Sequence, residues 1–310
     1  MSGLTSILRE SGHVSVATKR ESTPVNIYYE MYGYGEEKVL LVMGLATPCQ
    51  AWDNQIKFLT QTGKFTVLII DNRGMGHSDA PVGLYTTKQM AADASDILDH
   101  FGWTSNVHIN GVSMGGMISL ELVHSQPERF ASLTLTSTTA TLNIPTLKAV
   151  TTISNLLLLS NEPKSRISVI VELLYPKEWL ASKPSDPTLG FNTNRELASH
   201  RLVEHAKLSK LQTLQGHIGQ LSACMRHYVS DKRLLFIRNN GPPVLIMTGT
   251  WDNLVRPRYS HLMHNVLGGH LEVFNGSGHA LPEEQVDKYN KLFFDHMSAA
   301  TQNKTVASNL

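Results

Sequence analysis

The sequence predicts an α/β fold with a mostly parallel central sheet. Short, almost wholly apolar runs recur along the chain, and stretches with helical spacing separate them. Strands that are apolar throughout are typical of parallel sheets, because helices cover both faces of such sheets. The alternation of strand and helix favours right-handed crossovers between neighbouring strands. The apolar runs are residues 39–43, 65–70, 107–110, 133–136 and 244–248, and the helical stretches include residues 52–59, 90–100, 116–124 and 258–267.

The start of the chain has a different pattern. Residues 13–19 and 25–32 alternate between apolar and polar side chains, as half-buried strands do. Residues 33–35 (Gly-Tyr-Gly) then supply a turn. An antiparallel opening is therefore expected before the parallel part of the sheet begins.

The alternation of strands and helices breaks once, between about residues 141 and 240. No core strand is evident there, whereas several stretches have helical spacing. A helical insertion between two sheet strands is expected to cover the carboxyl edge of the strands, where open α/β sheets bind their ligands. The sequence thus predicts a core of residues 1–140 and 241–310 and a helical cap of residues 141–240. The predicted cap helices are residues 147–159, 166–175, 195–208 and 214–228.

Composition and charge narrow the class of partner. The 310 residues carry 27 Lys and Arg against 26 Asp and Glu, so neither a nucleic acid nor an anionic membrane surface is favoured. No apolar run has the length of a signal peptide or membrane span, and two cysteines are too few for a disulfide framework. We expect a cytoplasmic protein that acts on a small molecule. Its last three residues, Ser308 to Leu310, bear only a weak resemblance to a peroxisomal signal, and the sequence leaves the oligomeric state open.

The strongest chemical signal is the segment Gly-Val-Ser-Met-Gly at residues 111–115. It lies between an apolar strand that ends at Asn110 and a helix that begins near Gly116. A serine at the apex of so sharp a turn projects its hydroxyl above the sheet, and flanking glycines remove side chains that would clash there. This context identifies Ser113 as a candidate nucleophile.

A serine hydroxyl is a weak nucleophile at neutral pH and needs a base, which is most often an imidazole. Among the 14 histidines, His279 has the most informative context, because it lies in a glycine-rich loop directly after the strand-like residues 271–274. A carboxylate at the same sheet edge must then orient the imidazole. Asp252 follows the buried strand 244–248 and fits that position, whereas residues 138–140 after the preceding strand are Thr-Thr-Ala.

Together these features resemble the α/β-hydrolase superfamily over about residues 14–297. The resemblance rests on Gly44, on the Asp-x-Arg-Gly-x-Gly-x-Ser segment at residues 71–78, and on Ser113, Asp252 and His279 in that family's chain order. It implies an α/β-hydrolase fold with a mostly parallel sheet, flanking helices and an inserted helical cap. A serine stands where the epoxide and haloalkane branches carry an aspartate. The chain is therefore similar to small esterases, methylesterases and thioesterases with a helical cap.

The same resemblance suggests where a developing oxyanion would be stabilised. One donor is expected to be the backbone N–H of Met114, at the positive end of the helix that follows the serine. The second is expected to be the N–H of Leu45, because residues 43–46 occupy the position of the family's His-Gly segment. Ala46, Thr47 and Trp52, in or after that loop, are candidate substrate contacts, and the cap walls are expected to set selectivity.

These sequence features favour hydrolysis of a carboxylic ester or thioester of a small apolar substrate through an acyl-enzyme. It implies no metal and no organic cofactor, because the sequence has no cluster of His, Cys and Asp at ligand spacing. Two alternatives stay open. The same triad would serve an acyltransferase, and the same fold would serve a non-catalytic ligand receptor.

Overall fold

The central element is one twisted sheet. The computed structural model describes residues 4, 6–143, 146 and 163–308. Within them, the strands form a single sheet in the order β1-β2-β4-β3-β5-β6-β7-β8. The strands are β1 Leu8–Val16, β2 Val25–Tyr32, β3 Glu37–Val42, β4 Phe65–Ile70, β5 Val107–Val112, β6 Phe130–Thr136, β7 Val244–Gly249 and β8 His270–Phe274.

The direction of the strands matches the sequence pattern. β2 runs antiparallel to both β1 and β4, and every other pairing is parallel. The central strands β4, β5, β6 and β7 are buried at every residue, which is why their sequences are apolar rather than alternating. The α/β-hydrolase fold predicted from the sequence is confirmed.

Helices cover both faces of the sheet and enclose two apolar cores. On one face, the helices α2 (Thr87–His100), α3 (Met114–Ser125), α8 (Asp231–Asn240) and α9 (Pro257–Leu267) pack against side chains from β3, β5 and β6. On the other face, α1 and α11 pack against side chains from β3, β4 and β7. The helices outside the predicted cap are α1 Asp53–Gln61, α2 Thr87–His100, α3 Met114–Ser125, α9 Pro257–Leu267, α10 Leu281–Glu284 and α11 Val286–Ser308.

In the described part of residues 141–240 the regular elements are helices. The predicted helix at residues 147–159 lies outside the described residues. Leu234 and Ile237 of the last helix, α8, join the core on the α2 and α3 face of the sheet. We therefore retain the helical cap as a proposal and place its end before α8. The helices are α4 Pro163–Leu174, α5 Lys177–Ala181, α6 Asn194–Lys207, α7 Leu214–Met225 and α8 Asp231–Asn240.

The structure departs from the sequence prediction most clearly in β1 and in the last helix. β1 begins at Leu8 and ends at Val16, because Ala17 adopts a φ of +59° and the chain turns there. The long helix α11 was not predicted, although its buried residues Tyr289, Phe293, Met297 and Ala300 recur at helical spacing. None of the described helices combines the length and apolar character needed to cross a membrane.

Candidate active site

Ser113 lies at the carboxyl end of β5, where the chain turns sharply into α3. Its backbone has φ +56° and ψ −120°, a conformation that costs a non-glycine residue roughly 1–3 kcal/mol. Thr136, at the end of β6, and Thr138, two residues later, fix this turn: Ser113 N–H donates to Thr136 O at 2.9 Å, and Thr138 Oγ1 donates to Ser113 O at 2.7 Å. The side chain is half-buried. The strained serine turn predicted from the sequence is present.

The glycines around Ser113 are required by close approach of backbones. A Cβ on Gly111 would lie 2.3 Å from Gly115 O, and one on Gly115 would lie 2.0 Å from Val42 O. A Cβ on Gly44 would lie 3.1 Å from the Cβ of Ser113. The loop after β3 is therefore packed directly against the serine.

Asp252 and His279 meet at the carboxyl edge of β7 and β8. Asp252 Oδ2 lies 2.8 Å from His279 Nδ1. The other oxygen, Oδ1, accepts the backbone N–H groups of Leu254 and Val255, each at 2.9 Å. Both side chains are buried, at 3% and 7% exposure of the residues. The carboxylate is thus fixed by its own loop and presents a single oxygen to the imidazole.

Hydrogen bonds join the loop of Asp252 to the loop of His279. Trp251 N–H donates to Ser277 O at 2.9 Å, and Gly276 N–H donates to Thr250 Oγ1 at 2.8 Å. The backbone N–H of His279 donates to the carbonyl of Leu174, at the end of α4, at 2.9 Å. The histidine loop is therefore held by the core and by the helical region 141–240 together.

A buried carboxyl that the sequence analysis missed supports this loop. Glu284 is 7% exposed, and its Oε2 accepts the N–H of Gly278, the residue before His279, at 2.7 Å. Burial raises the pKa of Glu284 to about 7, and the negative charge of Asp252 acts in the same direction. Its position, five residues after His279, was the available sequence signal.

Ser113 and the histidine are not joined directly in this structure. No hydrogen bond links Ser113 Oγ to His279 among the described residues. Both nevertheless follow parallel strands of one sheet, Ser113 after β5 and His279 after β8, and so lie at the same edge. Contacts of this kind are often loose before substrate binds and tighten in the complex.

The two predicted oxyanion donors are available. Among the described residues, the N–H groups of Leu45 and Met114 donate to no other group. The first turn of a helix leaves such N–H groups without an intrahelical partner, and Met114 is the first residue of α3. The loop of Leu45 is held on one side by Asn72, whose Nδ2 donates to Met43 O at 2.9 Å.

The three candidate substrate contacts differ in exposure. Ala46 is exposed, Thr47 is half-buried, and Thr47 Oγ1 donates back to Leu45 O at 3.1 Å. Trp52 is completely buried in the core formed with α1 and α11. In this conformation Trp52 is a packing residue, because a short turn of 3₁₀ helix directs it inward. We keep Ala46 and Thr47 as candidate contacts and leave Trp52 out.

The segment at residues 71–78 ties loops together. Asp71 is fully buried and accepts the N–H groups of Cys49 at 2.8 Å and His77 at 2.9 Å. Arg73 is also buried and makes two hydrogen bonds to Asp93, at 2.5 and 2.7 Å. These contacts give the segment a structural role.

Comparisons with known proteins agree with the fold. A family model described as the alpha/beta hydrolase fold matches residues 38–165. A protein of Azorhizobium caulinodans named "Putative carbamate hydrolase RutD" is 30% identical over 268 residues, which cover 86% of this chain and 93% of the relative. A non-heme chloroperoxidase of Streptomyces lividans is 26% identical over 281 residues, covering 84% of this chain and 97% of the relative.

Solved structures show the same architecture. A thermophilic esterase from Thermogutta terrifontis superposes with a TM-score of 0.71 at 20% identity, covering 93% of this chain and 99% of the esterase. The enol-lactonase from Burkholderia xenovorans has a TM-score of 0.71 at 18% identity, covering 93% of this chain and all of the lactonase. With the carbamate-hydrolase relative matched over nearly its whole length, the chain belongs to the alpha/beta hydrolase family.

Proposed function

We propose that this protein is a serine hydrolase that cleaves a carboxylic ester or thioester of a small apolar substrate through an acyl-enzyme. Ser113 is the nucleophile, His279 is the general base and Asp252 orients the histidine. The observation that carries the proposal is that two features lie at the same edge of the sheet. A serine in a left-handed backbone conformation and a histidine bound to a buried carboxylate both follow strands there.

The roles follow from the contacts. Because His279 Nδ1 lies 2.8 Å from Asp252 Oδ2, the proton of the neutral imidazole is at Nδ1 and the lone pair is at Nε2. Nε2 takes the proton of Ser113 Oγ as that oxygen attacks the substrate carbonyl carbon, and gives the proton to the leaving oxygen or sulfur. A water molecule activated by Nε2 then attacks the acyl-enzyme and restores Ser113.

The charge that develops on the carbonyl oxygen needs preorganised donors. The free N–H groups of Leu45 and Met114 lie on either side of the serine turn, in the loop after β3 and at the start of α3. Removing one such donor in other serine enzymes costs about 10²–10³ in kcat. These two groups therefore supply the oxyanion hole of the proposed reaction.

The surroundings favour an apolar acyl or alkyl group. Leu45 beside the serine turn, and Leu174 and Ala280 beside the histidine, are half-buried apolar side chains. The size of the acyl group and the leaving group are open to assay. A panel of p-nitrophenyl esters and acyl thioesters of graded length would define them, and it should include a carbamate, since one relative is named for that substrate.

A fluorophosphonate probe tests the nucleophile. We expect stoichiometric labelling of the wild type at Ser113 and none of Ser113→Ala. Ser137→Ala is a matched control. Like Ser113, Ser137 directly follows a strand and has a positive φ, +48°, but it is completely buried. Labelling should persist in that control.

The same experiment separates the alternatives. A well-folded wild type that neither labels nor turns over any ester would support a non-catalytic receptor and overturn the proposal. If labelling occurs, adding competing alcohols to an ester assay distinguishes hydrolysis from acyl transfer. A transferase would divert most of the acyl group to the alcohol.

A further inference from the structure

The inner face of α7 carries a buried glutamine. Four residues on this face are buried: Gly216, Gly219, Gln220 and Ala223. The glycines let the helix approach the core closely, since a Cβ on Gly216 would lie 2.2 Å from Gly74 O and one on Gly219 would lie 2.3 Å from the ring of Tyr85. The close approach places the side chain of Gln220 deep enough to reach the loops beneath.

Gln220 uses both ends of its amide. Its Oε1 accepts the backbone N–H of Ala46 at 3.0 Å and Nε2 of Gln212 at 2.9 Å. Its Nε2 donates to the carbonyl of Arg73 at 2.9 Å. The side chain is fully buried, and Arg73 is itself fixed by its ion pair with Asp93. Gln220 therefore connects the loop after β3 to a rigid part of the core.

The residue that Gln220 holds adjoins the proposed oxyanion donor. Ala46 has a φ of +55°, a conformation that alanine rarely adopts without support. The peptide group that carries the Ala46 N–H also carries the Leu45 carbonyl, so its orientation constrains the direction of the Leu45 N–H. We propose that Gln220 is a positioning residue, which orients the Leu45 N–H toward Ser113 by holding Ala46. The inference rests on the proposed hydrolase function.

The orientation of the Leu45 N–H therefore depends on the packing of α7 against the core. Gln220 and Ala46 are 174 positions apart in the sequence, and among the described residues the loop is also held by Asn72 of the core. If α7 moved away, Ala46 would lose its partner and the Leu45 N–H would turn. Because an oxyanion donor acts mainly in the transition state, the loss should appear in kcat rather than in KM.

The test compares two glutamines of the same helix. Gln220→Met keeps the side-chain volume and removes the hydrogen bonds. Gln215→Met is the matched control, because Gln215 Nε2 donates to Gly83 O and does not contact the loop after β3. We expect Gln220→Met to lower kcat by about 10- to 100-fold, less than the loss of a donor itself, with KM nearly unchanged. Gln215→Met should leave both constants near wild type.

Two further readouts distinguish positioning from packing. A trifluoromethyl ketone forms an adduct that carries an oxyanion, so its inhibition constant should rise in Gln220→Met by the same factor as kcat/KM falls. The amide hydrogen of Ala46 should exchange faster, while the amides of β5 keep their protection. Gln220→Asn, whose amide is one methylene too short to reach Ala46, should repeat the loss if Gln220→Met fails to fold.

The outcomes are separable. The proposal is overturned if Gln220→Met matches Gln215→Met in kcat, or if Ala46 exchange does not change. It is also overturned if the loss lies wholly in KM or in melting temperature. A folded wild type that reacts with no ester or phosphonate overturns the proposed function and the positioning role with it, although Ala46 exchange would still measure the hydrogen bond.

Discussion

The two halves of the candidate active site are held in different ways. The acid and base lie in adjoining core loops, where Asp252 Oδ1 is satisfied by N–H groups two and three residues further along the chain. The loop of Leu45, by contrast, depends on distant residues, with Asn72 on one side and Gln220 on the other. The acid is thus held by its own loop, and His279 takes one further contact from Leu174, whereas the oxyanion half depends on Asn72 and Gln220.

This difference suggests how the two halves would respond to change. A local hydrogen-bond set is formed as soon as its own loop folds, whereas a contact between distant segments forms only when both are docked. Changes in α7 should therefore affect the oxyanion loop first. Changes near β7 and β8 should affect the tautomer and orientation of His279.

The largest expected loss of kcat comes from replacing Ser113, which lies between the two halves, or His279. Ser113→Ala and His279→Ala should each lower kcat by a factor on the order of 10⁶, and the double variant should be little worse than either, because the triad acts as a unit. Single-turnover assays with an activated ester would measure all three. Multiplicative losses in the double variant would mean that the two residues act independently and would contradict the proposed mechanism.

The next effect tests the acid-base half alone. Asp252→Asn should lower kcat by about 10⁴, because an amide at that position favours the wrong tautomer of His279. Asp71→Asn is the control, since Asp71 is equally buried but accepts backbone N–H groups of Cys49 and His77. The control should lower the melting temperature and leave most of kcat. If Asp71→Asn abolished turnover at unchanged melting temperature and Asp252→Asn did not, the acid would be wrongly assigned.

The contrast between the halves also explains what the sequence could predict. Ser113, Asp252 and His279 could be proposed from the sequence because each follows a strand within a few residues, so that local context singles them out. Gln220 was not found, because its partners Ala46 and Arg73 are 174 and 147 positions away and only the packing of α7 brings them together. Trp52 shows the reverse error, since its place after the oxyanion loop suggested a substrate contact and its side chain is in the core.

The fold was predicted for the same reason. Apolar runs located β4 to β7, because strands buried on both faces have few polar positions, although β5 ends two residues later and β6 begins three residues earlier than predicted. Helix α8 was counted with the cap, since the sequence does not reveal that Leu234 and Ile237 belong to the core that contains α3 and α9.

A smaller effect is expected on the free energy of unfolding, through Glu284, which supports the loop of His279. Its pKa is raised from 4.5 to about 7, so the folded protein binds a proton that the unfolded chain releases between those values. The contribution of Glu284 is therefore fully present below pH 4.5 and is lost as the pH rises to about 7. Relative to Glu284→Gln, the wild type should lose about 3 kcal/mol of unfolding free energy across this window.

The comparison with Glu284→Gln isolates this group from the buried histidines. Burial lowers the pKa of His227 and of His296 to about 4, which makes stability rise with pH over an overlapping range. Those contributions are the same in both proteins and cancel in the difference. Urea titrations at pH 4.5, 6 and 7.5 would measure it. A difference that does not change with pH would show that Glu284 is ionised in the folded protein throughout.

The smallest effect concerns selectivity and uses Leu174, whose carbonyl accepts the N–H of His279. Leu174→Ala keeps that backbone contact and shortens a half-buried apolar side chain that packs, with Ala280, in the small core of the helical region. Each buried methylene contributes about 0.8 kcal/mol, less than one decade in kcat/KM. The preferred acyl chain should therefore lengthen by one or two carbons, with a gradual rather than abrupt profile.

Val171→Ala is the matched control for this last prediction, because Val171 lies one turn earlier on α4 and is completely buried in the same small core. It should lower the melting temperature without moving the chain-length optimum. The measurement is kcat/KM against acyl length for the three proteins, with melting curves to exclude unfolding. A shift of equal size in both variants would mean that α4 acts only through packing. A shift in neither would move selectivity to Ala46 and Thr47, and with it to the half of the site that Gln220 holds.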